Sequence, residues 1–150
     1  MLHIALYEPE IPPNTGNIAR LCAATKTRLH IVGPTGFRMD DRTLKRSGLD
    51  YWQFVDLQRH IDIDSLYHSL PNSRFLYLTT KTDQKYFDWQ FQEEDCLVFG
   101  PETRGLPAEI LSANPDSCLT IPMSSPEVRS LNLATSAGIV LFEAIRQLSE

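Results

Sequence analysis

Three segments of this sequence gather side chains that could hold an anion or help to move a proton. Asn14-Thr15-Gly16-Asn17-Ile18-Ala19-Arg20 opens a helix at a strand end, where free backbone N–H groups favour an anion such as phosphate. The competing reading makes Asn14 an ordinary cap and Arg20 a surface cation. Gly100-Pro101-Glu102-Thr103-Arg104-Gly105-Leu106-Pro107 has the glycine spacing of a phosphate loop, but Leu106-Pro107 stands where a lysine and a hydroxyl residue are required. It is therefore not the phosphate loop of a nucleoside triphosphatase. The loop still delivers a glycine, a carboxylate and a guanidinium to a strand end, unless Glu102 and Arg104 simply pair across the turn. The third segment, Ser124 to Asn132, leads into the last helix, and Ser130 or Asn132 could be no more than its cap.

Other chemistries find little support. His3, His30, His60 and His68 show no His-Glu-x-x-His spacing and lie near no cysteine pair, so metal catalysis is not expected. No serine sits in a Gly-x-Ser-x-Gly elbow, and no Gly-x-Gly-x-x-Gly follows a strand. Cys22, Cys96 and Cys118 are widely spaced and odd in number, which reads as buried reduced thiols.

The elements that must position the three segments alternate along the chain. Leu2 to Tyr7 reads as a strand and Pro12-Pro13-Asn14 as the start of a helix running to Thr25. Arg28 to Val32 is the next strand, followed by a short helix from Asp41 to Ser47 stopped by Gly48, and a brief strand over Trp52 to Val55. Ile63 to Leu70 has helical spacing, Arg74 to Thr79 and Cys96 to Phe99 read as strands, and a short helix begins near Pro107. Cys118 to Ile121 is the last strand, and a helix runs from Asn132 to Leu148. Such alternation predicts an α/β fold, a mainly parallel sheet with helices on both faces, and places a ligand site at the carboxyl ends of the strands.

With 150 residues, 42% hydrophobic and 22% charged, a single domain over 1–150 is expected to bury its own core. Leu2 to Tyr7 is too short for a signal sequence and no later run reaches membrane-spanning length, so the expected location is cytoplasmic. The net charge of −5 gives no hint of a nucleic-acid partner, but its distribution does: residues 1–50 carry seven Lys/Arg against five Asp/Glu, and residues 51–150 seven against fourteen. Arg38, Arg42, Lys45 and Arg46, with Lys26 and Arg28, could grip phosphates, or could line a solvated helix face.

Taken together and in order, Asn14 to Arg20, Phe99 to Gly105, and Ile121-Pro122 with Ser130-Leu131-Asn132-Leu133 resemble the three motifs of the SpoU/TrmH family of RNA 2′-O-methyltransferases, within the SPOUT superfamily. The opening Tyr7 to Asn17 and the absence of an added domain are similar to the TrmL branch, which methylates the wobble position of tRNA. The resemblance implies a SPOUT fold whose carboxyl-terminal segment forms a trefoil knot holding S-adenosyl-L-methionine, with S-adenosyl-L-homocysteine as product and no metal. It implies transfer to the ribose 2′-hydroxyl of C or modified U at position 34, with leucine isoacceptors of tRNA as the expected partner, and neither DNA nor membrane.

By motif, Leu78, Gly100, Ile121 and Ser130 should line the cofactor pocket, with Leu131 and Leu133 as apolar surface near the adenine. Asn14, Arg20, Glu102, Ser130 and Asn132 resemble the catalytic set. The resemblance also implies a homodimer through the first and last helices, with Ile139, Val140, Phe142, Ala144 and Ile145 at the interface and Arg20 of one subunit reaching the cofactor of the other. Arg20 is described in the family as the base; a guanidinium stays protonated under almost all protein conditions, so the alternative is that it stabilises developing alkoxide. Two rival readings are a 2′-O-methyltransferase of another tRNA position or of rRNA, and a non-catalytic RNA-binding module of the same fold.

Overall fold

A computed structural model describes residues 1–39, 42 and 49–149, with Leu49 and Asp50 described by backbone alone. Short apolar runs become strands here because they are covered on both faces and need no polar alternation. The order is β1 (His3–Tyr7), α1 (Pro12–Thr25), β2 (Arg28–Val32), a 3-10 turn (Leu49–Phe54), β3 (Leu57–His60), α2 (Ile63–Ser69) and β4 (Phe75–Leu78). A 3-10 turn (Tyr86–Asp88), β5 (Cys96–Phe99), α3 (Ala108–Ala113), a 3-10 turn (Pro115–Ser117), β6 (Cys118–Leu119) and α4 (Leu133–Leu148) follow. Among the described residues six strands form one sheet in the order β3-β2-β1-β5-β4-β6, and every neighbouring pair is parallel.

Alternate residues of each strand feed two cores. Ile4, Leu6, Leu29, Ile31, Leu97 and Phe99 pack against Ile18, Ala19 and Cys22 of α1 and Ala137, Val140, Leu141 and Ala144 of α4. On the opposite face Ala5, Val32, Tyr77 and Val98 meet Leu66 and Leu70, with Ile110 and Leu111 of α3 alongside. Each large aliphatic side chain so buried contributes about 1.5–3 kcal/mol. Val140 and Ala144, expected at a subunit interface, are instead fully buried inside the chain, whereas Phe142 is 52% exposed. Cys22, Cys96 and Cys118 are free and buried, and burial pushes the Cys22 thiol up to about 12. No helix among the described residues is long and apolar enough to cross a membrane.

Two expected elements differ and one lies outside the described residues. Trp52 and Val55 belong to a 3-10 turn and its exit, packed on the core beside α1. The strand begins later, at Leu57, where Leu29–Val32 supply its backbone partners. The last strand ends at Leu119, because Thr120 bridges to Lys85 and Ile121 leaves the sheet. The helix expected from Asp41 to Ser47 and its stop at Gly48 lie, apart from Arg42, outside the described residues, as do Lys45 and Arg46.

The parallel register also builds something that the sequence hides. His3, His30 and His60 stand on adjacent strands and join edge to edge, His60 Nε2 to His30 Nδ1 at 2.9 Å and His30 Nε2 to His3 Nδ1 at 3.0 Å. His3 Nε2 lies 3.0 Å from Glu94 Oε1, and Glu94 Oε2 accepts from the amino terminus at 2.9 Å. An ionised carboxylate can only accept, so Glu94 sets the direction: each ring carries its proton on Nε2 and accepts on Nδ1, except that Nδ1 of His60 has no histidine beyond it. Burial, then the neighbouring imidazoles, lowers His30 from 6.5 to about 3, and burial lowers His3 and His60 as well.

These rings take protons more readily once unfolded, so their stabilising contribution is complete above about 6.5 and is lost as pH falls towards the folded value. Glu94, held at about 2 by hydrogen bonds from His3 and the amino terminus, acts in the same direction. Thermal melts should therefore show stability falling below pH 6.5, with His30 alone contributing about 1.4 kcal/mol per pH unit. His30→Gln should flatten that slope, whatever it does to stability at neutral pH.

Candidate functional site

The carboxyl ends of β1, β4, β5 and β6 all open on one side of the sheet. The loops that follow β4, β5 and β6, together with the start of α1, enclose a cavity of about 480 Å³. Its walls include Leu78 from the end of β4, Gly100 and Glu102 from the loop after β5, and Ile121 from the chain leaving β6. Ser130, Leu131 and Asn132 approach along the entry to α4, and Asn14 projects from the first turn of α1. Every candidate cofactor-lining residue and four of the five candidate catalytic residues thus meet at one cavity. Arg20 of the same chain is not on its walls.

A chain of hydrogen bonds ties the three segments together. The Glu102 carboxylate accepts from the backbone N–H groups of Glu10 and Ile11, both at 2.8 Å, and from Asn14 Nδ2 at 3.2 Å. Asn14 Oδ1 in turn accepts from Asn132 Nδ2 at 3.0 Å. Asn132 Oδ1 closes the series by accepting from the N–H groups of Ala134 and Thr135, so Asn132 caps α4 while holding α1. Asn14 uses both ends of its amide, and no partner remains ambiguous: a carboxylate cannot donate, so Glu102 fixes which end is nitrogen.

This arrangement corrects three possibilities left open by the sequence. Asn14 is not the cap of α1; Ile11 holds that position without a side-chain bond, and the carboxylate of Glu102 takes the donors just before the helix. Nor is that helix start open to phosphate: Pro12 and Pro13 have no N–H, and the Asn14 N–H bonds to the Ile11 carbonyl at 3.1 Å. Glu102 does not pair with Arg104 either. Arg104 reaches Glu8 at 3.4 Å and Glu10 at 3.7 Å, while Glu10 accepts from the Thr103 N–H and hydroxyl at 2.9 and 2.8 Å. Those bonds from Thr103 hold the Glu10 carboxyl below its ordinary range.

The loop after β1 and the loop after β5 therefore clasp each other with two carboxylates in exchange. Gly100 lets this happen: a Cβ there would stand 2.3 Å from the Leu106 backbone nitrogen, so only glycine lets the loop fold back onto its own strand end. Glu8 begins the other loop in the left-handed region at φ 48, a strained backbone for a non-glycine residue, next to the site where such strain concentrates. Sequence reasoning missed Glu10 and Thr103, since a bond spanning 93 residues leaves no local signal. It missed Lys81 and Arg129 on the cavity wall too, although Arg129 directly precedes Ser130.

Arg20 lies on the exposed side of α1, with its guanidinium 4.8 Å from the centre of the Tyr51 ring. Six residues of helix carry it about 9 Å along the axis from Asn14.

A family model described as the SpoU rRNA Methylase family matches residues 1–142. The chain belongs to the SpoU methylase family. One SpoU relative, the tRNA (cytidine(34)-2'-O)-methyltransferase of Escherichia coli (strain K12), is 51% identical over 149 residues, covering 99% of this chain and 94% of the relative. A solved structure described as giving structural insights into the 2-OH methylation of C/U34 on tRNA is 45% identical, with a TM-score of 0.95 over 99% of this chain and 97% of that one. The AdoMet-bound rRNA methyltransferase of Sinorhizobium meliloti matches with a TM-score of 0.85 at 26% identity, covering 98% of this chain and 56% of that one. The α/β sheet of this chain is thus the SPOUT fold of the SpoU methylases.

Proposed function

We propose that this chain transfers a methyl group from S-adenosyl-L-methionine to the ribose 2′-hydroxyl of the pyrimidine at position 34 of tRNA, with leucine isoacceptors as substrates. The observation that carries the reading is the convergence of the three segments on one cavity, bound together through Glu102, Asn14 and Asn132. The relative from Escherichia coli and the solved structure concerned with C/U34 support the choice of substrate.

The cavity fits the cofactor in size and chemistry. Its volume of about 480 Å³ lies within the range of roughly 300–1,000 Å³ common for small-molecule sites. Leu78, Ile121, Leu131 and Leu133 offer apolar walls for the adenine, and the backbone around Gly100 and Ile121 offers polar groups beside them. When bound, S-adenosyl-L-methionine supplies an electrophilic methyl group on a sulfonium. Ser130 places a hydroxyl on the same wall. Glu102, Asn14 and Asn132 hold the loops in register, so that the ribose oxygen and the methyl group meet in line; such positioning can supply about 7 kcal/mol or more.

Arg20 completes the site from a second copy of the chain, in a homodimer formed through α1 and the exposed part of α4 around Phe142. What supports this is that Arg20 lies away from its own cavity while remaining exposed. Its guanidinium remains charged, stabilises the developing alkoxide and leaves the 2′ proton to water. The single domain is sufficient for the reaction, and the carboxyl-terminal trefoil knot implied by the family belongs to the same reading.

The test uses purified protein, S-adenosyl-L-methionine and tRNA transcripts that differ only at position 34. Methyl incorporation with a leucine-accepting transcript bearing C34, and its loss when C34 is replaced by 2′-deoxycytidine, is the expected result. Equal incorporation after that replacement sinks the assignment.

A further inference from the structure

The cavity at the strand ends holds four charged side chains, and they are not balanced. Glu102 is engaged by two backbone N–H groups and Asn14, and Arg104 is paired with Glu8 and Glu10. The remaining two, Lys81 and Arg129, are exposed and have no ion-pair partner among the described residues. Glu127, the nearest carboxylate in sequence to Arg129, accepts instead from the Ser125 hydroxyl at 2.7 Å. Lys81 follows β4, where its N–H bonds to Thr79 Oγ1 at 3.1 Å and fixes the turn that carries it. Arg129 comes from the loop after β6, immediately before Ser130. Two uncompensated cations thus stand on the walls of one cavity in a chain whose net charge is −5.

The methyl donor does not account for them. S-adenosyl-L-methionine carries a sulfonium, an ammonium and a carboxylate, a net single positive charge, so two further cations beside it are electrostatically adverse unless an anion arrives with the second substrate. An RNA phosphodiester brings one negative charge per nucleotide and lies next to the ribose that is to be methylated.

Resting on the function proposed above, we propose that Lys81 and Arg129 form a phosphate clamp that grips the RNA backbone flanking the target nucleotide and sets its 2′-hydroxyl over the cavity. Arg129 is suited to a bidentate contact with two phosphate oxygens, and Lys81 acts as a point charge. Both are positioning residues: they touch the substrate backbone and not the reacting atoms. Because the grip is on the backbone, its removal weakens all tRNA substrates alike and leaves the choice of base untouched.

The experiment compares wild-type protein with Lys81→Ala, Arg129→Ala and the double variant. Dissociation constants for tRNA are measured over a range of salt concentrations, steady-state constants are taken with the same tRNA, and calorimetry is run with S-adenosyl-L-methionine alone. The double variant should bind tRNA about ten-fold or more weakly at 0.1 M salt. Its log–log salt slope should be shallower by about 1.4, near 0.7 for each phosphate that a cation no longer neutralises in a single-stranded region. KM for tRNA should rise far more than kcat changes, cofactor affinity should stay within about twofold, and Lys81→Arg should retain most of the wild-type affinity.

An unchanged salt slope and KM in the double variant overturns the clamp while leaving the methyltransferase assignment intact. Loss of cofactor affinity by the same factor as RNA affinity overturns it in another way, by assigning the two cations to the carboxylate of the methyl donor. Wild-type protein that methylates a different RNA with the same dependence on Lys81 and Arg129 keeps the clamp and removes the tRNA assignment. If the wild type modifies no RNA at all, both fall.

Discussion

Arg20→Ala is expected to bind S-adenosyl-L-methionine within about twofold of the wild type and to methylate tRNA about 10²- to 10³-fold more slowly, the loss typical of removing one donor to a developing oxyanion. The two halves of this expectation have separate physical grounds. Arg20 is absent from the walls of its own cavity, so its removal takes nothing from the cofactor's surroundings. Its ring contact among the described residues is with Tyr51 at 4.8 Å on an exposed surface, worth about 0.5–1 kcal/mol, so folding should hardly change. The proposed role across a dimer adds a sharper test. Mixing Arg20→Ala protein with a variant whose cavity is blocked, Leu131→Glu, gives mixed dimers that pair an intact cavity with an intact Arg20. Activity should return on mixing two preparations that are each inactive. No recovery, with subunit exchange verified, contradicts action in trans, and near-normal turnover of Arg20→Ala alone removes its assigned role.

Glu102→Ala should damage the fold of the site before any chemistry is considered. It strips the acceptor from the N–H groups of Glu10 and Ile11 and from Asn14 Nδ2, which then frees Asn14 from its fixed bond to Asn132. A part-buried donor left without a partner costs about 1–3 kcal/mol, and water relieves some of that at Ile11, which is 40% exposed. The net loss should be about 2–5 kcal/mol. At about 2–4 °C for each kcal/mol in a domain of this size, thermal unfolding should fall by roughly 4–20 °C. Glu102→Gln keeps one oxygen but turns an amide N–H towards a backbone N–H, so it should fall between the two. Cofactor affinity should drop with stability, since the loop after β5 forms part of the cavity. A melting temperature within about 2 °C of the wild type would show that the three bonds do not hold the loops.

The order of strands and helices was legible because buried parallel strands are short apolar runs flanked by glycine and proline, as in Cys96–Phe99 before Gly100-Pro101. The strand at Leu57–His60 was not, because Gln58, Arg59 and His60 lack that signature and owe their extended form to pairing with β2. Gly100, Ile121, Asn14 and Asn132 could be named from three motifs as residues that meet at the cavity, but Lys81 and Arg129 could not, nor could the bonds by which the loops hold one another. Glu102 serves a helix start some 90 residues away, and Asn14 meets Asn132 across 118. The histidine row is the same kind of case: spacings of 27 and 30 residues mean nothing until the parallel register sets β1, β2 and β3 side by side. Asn14 reads as a possible cap because propensity rules see only the local chain, whereas the acceptor that decides its orientation comes from the loop after β5.

The most direct test of the central claim compares nucleosides from tRNA of cells with and without this protein by mass spectrometry, with position 34 mapped by fragment. A 2′-O-methylated pyrimidine at that position, lost in the deletion strain, restored by the wild type and not by Arg20→Ala, is the predicted result. Unaltered 2′-O-methylation at position 34 in the deletion strain would contradict the account.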